Sequence, residues 1–542
     1  MTPAVPPSRK GTVPRMPAVP SSIQALSRRW GRLSAPGRLA VSVFVLCQAV
    51  LLVHWAAFYP ALFSPDSFTY VWQVSTGNWV SDHSIAYDSL IWLSLKATGN
   101  VAALTMLQTL VCSLFLADTA VSLHKIGVRG RWTIAAAFVS VAIPSMGTFM
   151  VFLWKDVPYV LFSILVFSGC IRAAQLASQR VKGVPYDRAL GRAAVWRVAA
   201  GFTGILVFRN NGYPAIVVIA VGMLLLVPGI RRRILVAGVG TIVMALGLTL
   251  FAYPAMGVKL PHADAVIALN VADIAVAYKD SPSSFTPADL KLMETVAPLS
   301  HWSGRAANCW DADWAMAGPM NRPLVSANSS EFLSLWSKVL ERTPQDVVKA
   351  RLCRSQIAWG LTSGPTSLAG QTNIKVPWVT KSMMRWSYDH SNWSFHGTNI
   401  EQSPYWRILQ HQRPLSYKLN HLEVRYSLDS TTASLQWIVW RGAEWAYICY
   451  FLVLRLAWVR RKKAWLVLLL PTLGLQLTVM AANPAQVWRY MAAPLILGIM
   501  SLPLATITRK RDRALAASAA AAQDVVLPGQ PDQEIIKAGQ NS

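Results

Sequence analysis

The sequence predicts an all-α polytopic membrane protein with about ten transmembrane helices and a mainly helical extracytoplasmic domain. Apolar residues make up 53% of the 542-residue chain and charged residues 14%, well below the roughly 25% charged residues usual in soluble proteins. Uncharged runs recur along the chain, and several approach the about 20 residues that a helix needs to cross the hydrocarbon core. Lysine and arginine are concentrated in alternate connecting segments.

The ten predicted spans fall into a group of seven and a group of three. The segment between the groups, 255–434, contains no apolar run near the spanning length. In chain order the predicted spans are 39–59, 100–121, 132–152, 157–175, 193–208, 212–229, 234–254, 436–459, 464–482 and 487–507.

These spans divide the chain into five predicted parts. Residues 1–38 are basic and rich in Pro and Ser, which predicts a disordered cytoplasmic tail followed by a retained anchor. The other parts are a transmembrane module over 39–254, an extracytoplasmic domain over 255–434, a second transmembrane module over 435–507 and a disordered cytoplasmic tail over 508–542.

The net charge of +26 reflects topology rather than nucleic-acid binding. The segment 255–434 holds 17 basic and 14 acidic residues and is nearly neutral. More than half of all Lys and Arg residues lie in 1–38, 122–131, 172–197, 230–233, 455–463 and the segment after 508. This asymmetry predicts a multi-pass plasma-membrane protein with both termini cytoplasmic, and contact with anionic membrane lipid instead of nucleic acid.

Two regions outside the membrane are predicted to be structured. In the first outer loop, 60–99, the stretch SIAYDSLIWLSLKATG has helical spacing and predicts an amphipathic surface helix. In 255–434, a Thr343-Pro344 pair predicts a helix start within a longer helical stretch. Cys309 and Cys353 lie in the same external segment, and the sequence leaves open whether they form a disulfide.

Basic residues near the outer ends of spans are unexpected from topology alone. Five occur, at Lys96, Lys155, Arg209, Arg441 and Arg489. One interpretation is that they extend to lipid headgroups or pair locally, Lys155 with Asp156 and Arg441 with Glu444. The other is that they bind a phosphate or pyrophosphate at the outer headgroup level.

Acidic residues in the first outer loop favour the phosphate interpretation. A carboxylate beside a cationic site can take the proton of an attacking hydroxyl while the cations stabilise a phosphate leaving group. That chemistry describes sugar transfer from a polyprenyl phosphate. Asp66 is one candidate base, although its Pro-Asp-Ser context equally suits a helix cap. Asp82 and His83 form a second candidate pair, in which His83 binds phosphate or orients Asp82.

These residues resemble motifs of the GT-C superfamily of polytopic glycosyltransferases, which includes lipid A aminoarabinose transferases, protein mannosyltransferases and oligosaccharyltransferases. The chain is most similar to a bacterial branch of that superfamily. The resemblance covers roughly 39–230 and, more weakly, 483–495. Its motifs are Ser64-Pro65-Asp66-Ser67, Asp82-His83, Trp154-Lys155-Asp156-Val157-Pro158, Arg209-Asn210-Asn211-Gly212 and Arg489-Tyr490 before a proline-containing span.

The resemblance implies an inverting glycosyltransferase that takes a sugar from a polyprenyl-phosphate donor. Asp66 then becomes the general base, and Asp82 becomes its support or the alternative base. The acceptor is a cell-envelope glycan, lipid or protein. The residues implied in substrate binding are His83, Lys155, Asp156, Arg209, Asn210, Arg489 and Tyr490, with Lys155, Arg209 and Arg489 contacting the phosphate.

The chain departs from the family pattern in the first outer loop. Many members carry two closely spaced acids there, whereas Asp66 has no acidic neighbour, and Ser84 follows His83 where related chains often have proline. No Cys or His spacing typical of a metal site occurs. A divalent metal and the choice between Asp66 and Asp82 therefore remain open.

Two other functions fit parts of the sequence. A polysaccharide polymerase or ligase would use the same outer-face residues on lipid-pyrophosphate substrates. A transporter or flippase would bind its substrate near the bilayer midplane, often between repeats. The predicted span centres carry almost no charge and no internal repeat is visible, which disfavours transport. The sugar, the acceptor and the oligomeric state are not predicted.

Overall fold

The computed structural model describes residues 30–179, 187–361, 400–410 and 412–509. Within these ranges the chain is helical and has no strand, only three isolated bridges, which pair Leu62 with Phe152, Val80 with Lys259 and Asp311 with Ala485. The predicted terminal tails lie almost entirely outside the described residues, as does part of the predicted external domain, 362–399. The all-α membrane-protein prediction is therefore confirmed at the level of fold class.

The helices are numbered here in chain order. They are α1 Ala35–Ala57, α2 Pro65–Thr76, α3 Ile85–Thr98, α4 Ala102–Lys125, α5 Gly130–Ala142, α6 Pro144–Met150, α7 Asp156–Ser178, α8 Arg188–Phe208, α9 Tyr213–Leu226, α10 Pro228–Ala255, α11 Ala263–Asp280, α12 Pro287–Val296, α13 Leu299–Ser303, α14 Arg322–Ala327, α15 Ser329–Arg342, α16 Pro344–Arg354, α17 Gln356–Trp359, α18 Trp406–Gln410, α19 Tyr417–Asp429, α20 Ala433–Val439, α21 Gly442–Arg460, α22 Lys463–Ala482 and α23 Trp488–Thr506.

Among the described residues, eight helices are long and apolar enough to cross a membrane. They are α1, α4, α7, α8, α10, α21, α22 and α23. The other two predicted spans correspond to helices that do not pass this test alone. The predicted span 132–152 is the pair α5 and α6, bent by 71°, and the predicted span 212–229 is α9, which has 14 residues.

Prolines explain both departures. Pro144 follows α5, and the residue before a proline is pushed out of the helical region, so Ile143 adopts extended backbone with ψ of 136°. The chain therefore turns between α5 and α6. Helix α9 begins at Tyr213-Pro214 and ends before Pro228. Its length is about 21 Å at 1.5 Å per residue, which is shorter than a hydrocarbon core of about 30 Å.

The apolar helices share one large core. Helix α7 lies at its centre and packs along α8, and α4 packs between α1 and α7. Helix α23 packs on α21 and also contacts α5 and α7, which brings the end of the described chain back to its middle. A second core is built by α11 to α16 around Trp302 and Phe332.

The first loop forms a third core. Helices α2 and α3 pack together through Tyr70, Tyr87 and Ile91, and Leu153 and Leu409 join them from other parts of the chain. Helix α3 is the predicted loop helix. Its buried face carries a fully buried Asp88 among apolar residues, while Trp92 and Leu93 are exposed.

Two predictions in the second core are decided by the structure. Thr343 is the N-cap of α16 and Pro344 is its first residue, as predicted. Cys309 and Cys353 form a disulfide with Cα atoms 5.7 Å apart. The disulfide joins the start of a loop at 308–316 to α16.

Candidate functional site

The predicted site residues converge at one end of α7. Asp156 is the first residue of α7, Arg209 follows the last residue of α8, and Arg489 lies at the start of α23. The first loop covers this end because the Leu62 N–H donates to the Val151 carbonyl and the Leu153 N–H donates to the Leu62 carbonyl. We call Asp66, Asp82, His83, Lys155, Asp156, Arg209 and Arg489 the site cluster.

Asp66 is an ion-pair residue and not a helix cap. Ser64 occupies the N-cap of α2, and Ser67 Oγ accepts a hydrogen bond from the Ser64 N–H at 2.9 Å. Asp66 lies in the first turn and pairs with Arg489, with Oδ2 and Nη1 2.7 Å apart. Trp154 Nε1 donates to Ser64 Oγ at 2.6 Å and so connects this turn to the residues before α7.

Asp156 joins the two guanidinium groups. Its Oδ1 accepts a hydrogen bond from Arg209 Nη1 at 2.7 Å, and its Oδ2 lies 3.7 Å from Arg489 Nε. The expected local pairing of Lys155 with Asp156 is therefore replaced by contacts across helices. Tyr490 lies against both guanidinium groups, 4.7 Å from Arg209 and 5.4 Å from Arg489. Such cation–π contacts hold a guanidinium plane without consuming its N–H donors.

Lys155 meets the second candidate pair of the first loop. Its Nζ lies 2.8 Å from His83 Nδ1, and His83 Nε2 lies 3.8 Å from Asp82 Oδ2. Gln73 Nε2 donates to Asp82 Oδ1 at 3.1 Å. Desolvation lowers the pKa of Lys155, and Asp156, Asp66 and Asp82 oppose this shift. A lysine ammonium has only donors, so His83 accepts at Nδ1 and directs Nε2 toward Asp82.

The remaining candidate residues divide into neighbours and outsiders. Asn210 Nδ2 donates to the Ser81 carbonyl at 3.4 Å, which holds the turn after α8 against the loop of Asp82. Lys96 is exposed at the end of α3, away from the cluster. Arg441 forms the predicted pair with Glu444 at 3.3 Å. Three of the five outer-end bases therefore share one site.

Several residues around this cluster were not predicted from the sequence. Asp88 is fully buried, and neither of its carboxylate oxygens has a hydrogen-bond partner among the described residues. Burial raises its pKa well above the usual range, while the nearby Lys155 lowers it. The Asp311-Ala312-Asp313 stretch of the second core pairs with Ala485 through Asp311, and the charges of Asp66 and Arg489 act on the Asp313 carboxyl.

Two donors of the cluster make no hydrogen bond to a carboxylate among the described residues. Arg489 Nε is buried and has no hydrogen-bond partner among the described residues. The Lys155 ammonium makes its hydrogen bond with an imidazole and not with a carboxylate. Among the described residues no group of three or more His, Cys, Asp or Glu side chains is placed to hold a metal ion.

No protein-family model, curated protein or solved structure matches this chain.

Proposed function

We propose that the protein is a membrane glycosyltransferase that moves a sugar from a polyprenyl-phosphate donor to a cell-envelope acceptor. The observation that supports this proposal is the convergence of three basic side chains from three parts of the chain. Lys155, Arg209 and Arg489 lie beside first-loop carboxylates at one end of the apolar helices. A lipid phosphate needs cations at that position and an apolar surface for its chain.

The contact of Lys155 supports phosphate over a purely structural cluster. The Lys155 ammonium hydrogen-bonds the His83 imidazole and no carboxylate among the described contacts, and an ammonium can only donate. A phosphate oxygen would give this cation the anionic partner that it lacks. Aromatic contacts to Trp154 at 4.9 Å and to Tyr490 at 5.4 Å keep the Arg489 guanidinium in place before the ligand arrives.

The reaction needs only groups of these kinds. The acceptor oxygen forms a bond to the anomeric carbon, and the bond from that carbon to the phosphate oxygen breaks. The electron pair of the broken bond goes to the phosphate, whose growing charge the cations stabilise. The hydroxyl proton goes to a carboxylate, which is Asp66 in the interpretation drawn from the sequence. Direct displacement inverts the configuration at the anomeric carbon.

The membrane arrangement is part of the proposal. All ten apolar segments enter the membrane in this proposal. The bent pair α5 and α6 and the short helix α9 do so without forming a straight spanning helix. The positive-inside asymmetry favours cytoplasmic termini, with the site cluster and the second core on the outer side of the plasma membrane. The donor sugar would then meet acceptors outside the cell.

The test is a transfer assay with the full-length protein in phospholipid vesicles. The donors are undecaprenyl phosphates carrying radiolabelled mannose, glucose or galactose, and the acceptor is the envelope fraction of a deletion strain. We expect one donor to label the acceptor, and Asp66→Asn to label it much more slowly than the wild type. The matched control is Asp429→Asn, because Asp429 is an exposed acid on α19.

Three results would contradict the proposal. Full activity of an Asp66→Asn and Asp82→Asn double variant would remove the first-loop acids from the chemistry. Labelling only from an oligosaccharide on undecaprenyl pyrophosphate would favour a polymerase or ligase. Movement of the labelled lipid across the vesicle without sugar transfer would favour a flippase.

A further inference from the structure

A loop of the second core reaches the site cluster and carries two acids. The loop runs next to the segment before α23. Asp311 forms an isolated antiparallel bridge with Ala485, and the Ala312 N–H donates to the Pro484 carbonyl at 2.8 Å. Ala485 lies four positions before Arg489 in the chain. The bridge therefore brings the acids of the second core to the segment that leads into the site.

The position of this loop is held from both sides. The Cys309–Cys353 disulfide ties its start to α16. From the other side, Gln486 Nε2 donates to the Cys353 carbonyl at 2.7 Å, and Asn483 Nδ2 donates to the Arg354 carbonyl at 2.6 Å. Each of these contacts joins the second core to the segment before α23, so the loop is held against the segment that leads into Arg489.

Within the loop, Asp311 and Asp313 differ in role. The Asp311 carboxylate accepts a hydrogen bond from the Asp313 N–H at 2.9 Å and so shapes the turn. The Asp313 side chain is exposed to solvent. Desolvation by the surrounding protein nevertheless raises its pKa to about 7. The Asp313 side chain is thus in contact with water, while neighbouring protein atoms still desolvate its carboxyl group.

The charges that act on Asp313 belong to two groups: Asp66 and Arg489 of the site cluster, and Asp311 and Arg322 of the second core. Asp311 and Asp66 raise its pKa, and Arg489 and Arg322 lower it. Asp313 is therefore close enough to Asp66 and Arg489 for their charges to influence its proton. No hydrogen-bonded cation holds Asp313 in its ionised form among the described contacts, in contrast to Asp66.

Asp66 is poorly placed to take a proton. Its Oδ2 already accepts a charge-assisted hydrogen bond from Arg489 at 2.7 Å. Protonating Asp66 would weaken that contact and leave the Arg489 charge less compensated in a buried position. The same contact suits a different task, which is to orient Arg489 toward the phosphate.

We propose that Asp313, and not Asp66, accepts the proton of the acceptor hydroxyl, while Asp66 positions Arg489. This inference rests on the proposed glycosyl transfer and assigns its base. As the acceptor oxygen bonds to the anomeric carbon, its proton moves to a carboxylate oxygen of Asp313. The electron pair of the breaking bond goes to the lipid phosphate beside Arg489. The second core then supplies the acceptor side of the site, and the apolar bundle supplies the donor side.

The pH dependence separates the two assignments. Asp313 acts as a base only when ionised, so transfer should fall as the pH drops below about 7. Removing the charge of Asp311 or Asp66 lowers the pKa of Asp313, because both acids raise it. Asp311→Asn and Asp66→Asn should therefore keep this acidic limb and move it to lower pH.

The experiment measures kcat against pH for wild type and the three single variants in vesicles, with the labelled donor that the wild type uses. We expect Asp313→Asn to lower kcat by roughly 10²–10⁴-fold and to lose the acidic limb. Added formate should partly restore transfer by Asp313→Gly, because it replaces the missing carboxylate. Binding of undecaprenyl phosphate by Asp313→Asn should match wild type, which shows that the variant is folded.

The outcomes distinguish the two proposals. If the wild type transfers sugar and Asp313→Asn keeps its rate and its acidic limb, the assignment to Asp313 is wrong and the glycosyltransferase proposal stands. Loss of the limb in Asp66→Asn alone would return the base role to Asp66. If the wild type transfers no sugar from any donor, both proposals fall.

Discussion

An ionic cluster lies toward each end of α7. The two clusters have acids of similar solvent exposure, but the acids differ in how many hydrogen bonds they accept. At one end lies the site cluster. Toward the other end, Asp118 meets Ser168, Arg172 and Arg197, which we call the Asp118 cluster. The Asp118 side chain is 21% exposed and the Asp66 side chain is 23% exposed. Exposure therefore does not show which cluster is functional.

The acids separate the two clusters. Both oxygens of Asp118 are filled: Oδ1 accepts from Arg172 and Arg197 at 3.2 and 2.7 Å, and Oδ2 accepts from Ser168 and Arg197 at 2.5 and 2.8 Å. One carboxylate thus takes four hydrogen bonds. In the site cluster, several acids each take one or two contacts and a lysine contacts a histidine. The first arrangement is complete without a ligand, and the second is not.

A guanidinium N–H without a hydrogen-bond partner does not distinguish the two clusters. Arg172 Nε, like Arg489 Nε, is buried without a hydrogen-bond partner among the described residues. What differs is the surrounding. Arg489 stands against Trp154 and Tyr490 and within reach of a loop from the second core. The number of hydrogen bonds that each carboxylate accepts therefore distinguishes the two clusters, whereas a single buried N–H without a partner does not.

Among the variants that test the comparison between the site cluster and the Asp118 cluster, Arg489→Gln should have the largest effect. Removing a donor aimed at developing charge costs about 10²–10³-fold in rate, so transfer in vesicles should fall by that factor while the protein still accumulates in the membrane. Arg425→Gln is the matched control, because Arg425 is an exposed arginine whose ion pair among the described residues is with Asp429. Equal loss in both variants would mean that Arg489 has no special role.

The next effect is that of Lys155→Gln. Hydrogen bonds to charged groups contribute about 1.5–3 kcal/mol, so we expect roughly ten- to hundredfold weaker binding of undecaprenyl phosphate. Lys96→Gln serves as the control, because Lys96 is an exposed lysine of the same loop region outside the cluster. Binding measured by intrinsic Trp fluorescence decides the matter. Unchanged affinity in Lys155→Gln would remove this lysine from the phosphate site.

At the other end of α7, Asp118→Asn should change stability rather than chemistry. Leaving two arginines without their carboxylate should lower the free energy of unfolding by about 1–3 kcal/mol. The transfer rate per folded molecule should stay the same. Thermal unfolding in detergent and the vesicle assay measure the two quantities separately. A variant of normal stability that has lost transfer would break the comparison between the clusters.

The smallest expected effect is that of Asp429→Asn. Asp429 and Arg425 are 70% and 81% exposed, and their atoms lie 3.7 Å apart. Exposed pairs on one helix contribute about 0.3–0.5 kcal/mol. We expect no measurable change in transfer and a change in unfolding at the limit of detection. A large loss in either quantity would show that α19 takes part in the site.

Much of the fold follows from local sequence. Each of the ten apolar runs predicted as a span corresponds to a helix or helix pair, because hydrophobic length is a property of consecutive residues. The same holds for the helix start at Thr343-Pro344. The prolines that bend the third segment and shorten the sixth are visible in the sequence, although their effect on span length was not predicted.

The partners of the site residues were predicted only in part. The sequence suggested that Lys155, Arg209 and Arg489 share a layer with first-loop acids, and the structure brings them together. It also suggested that Lys155 pairs with Asp156, which is wrong, because α8 and α23 bring arginines to that carboxylate. No role was predicted for Asp313, because nothing in its local sequence relates it to Arg489, about 175 residues away in the chain.

The sequence by itself determined which segments are suited to lipid and which to water. The length of an apolar run and the distribution of basic residues are properties of consecutive residues, so they can be read without the tertiary structure. Only the tertiary structure decided which charge meets which. An ion pair depends on distances of a few ångströms between side chains that lie hundreds of residues apart, as Asp66 and Arg489 do, and packing of the helices sets those distances.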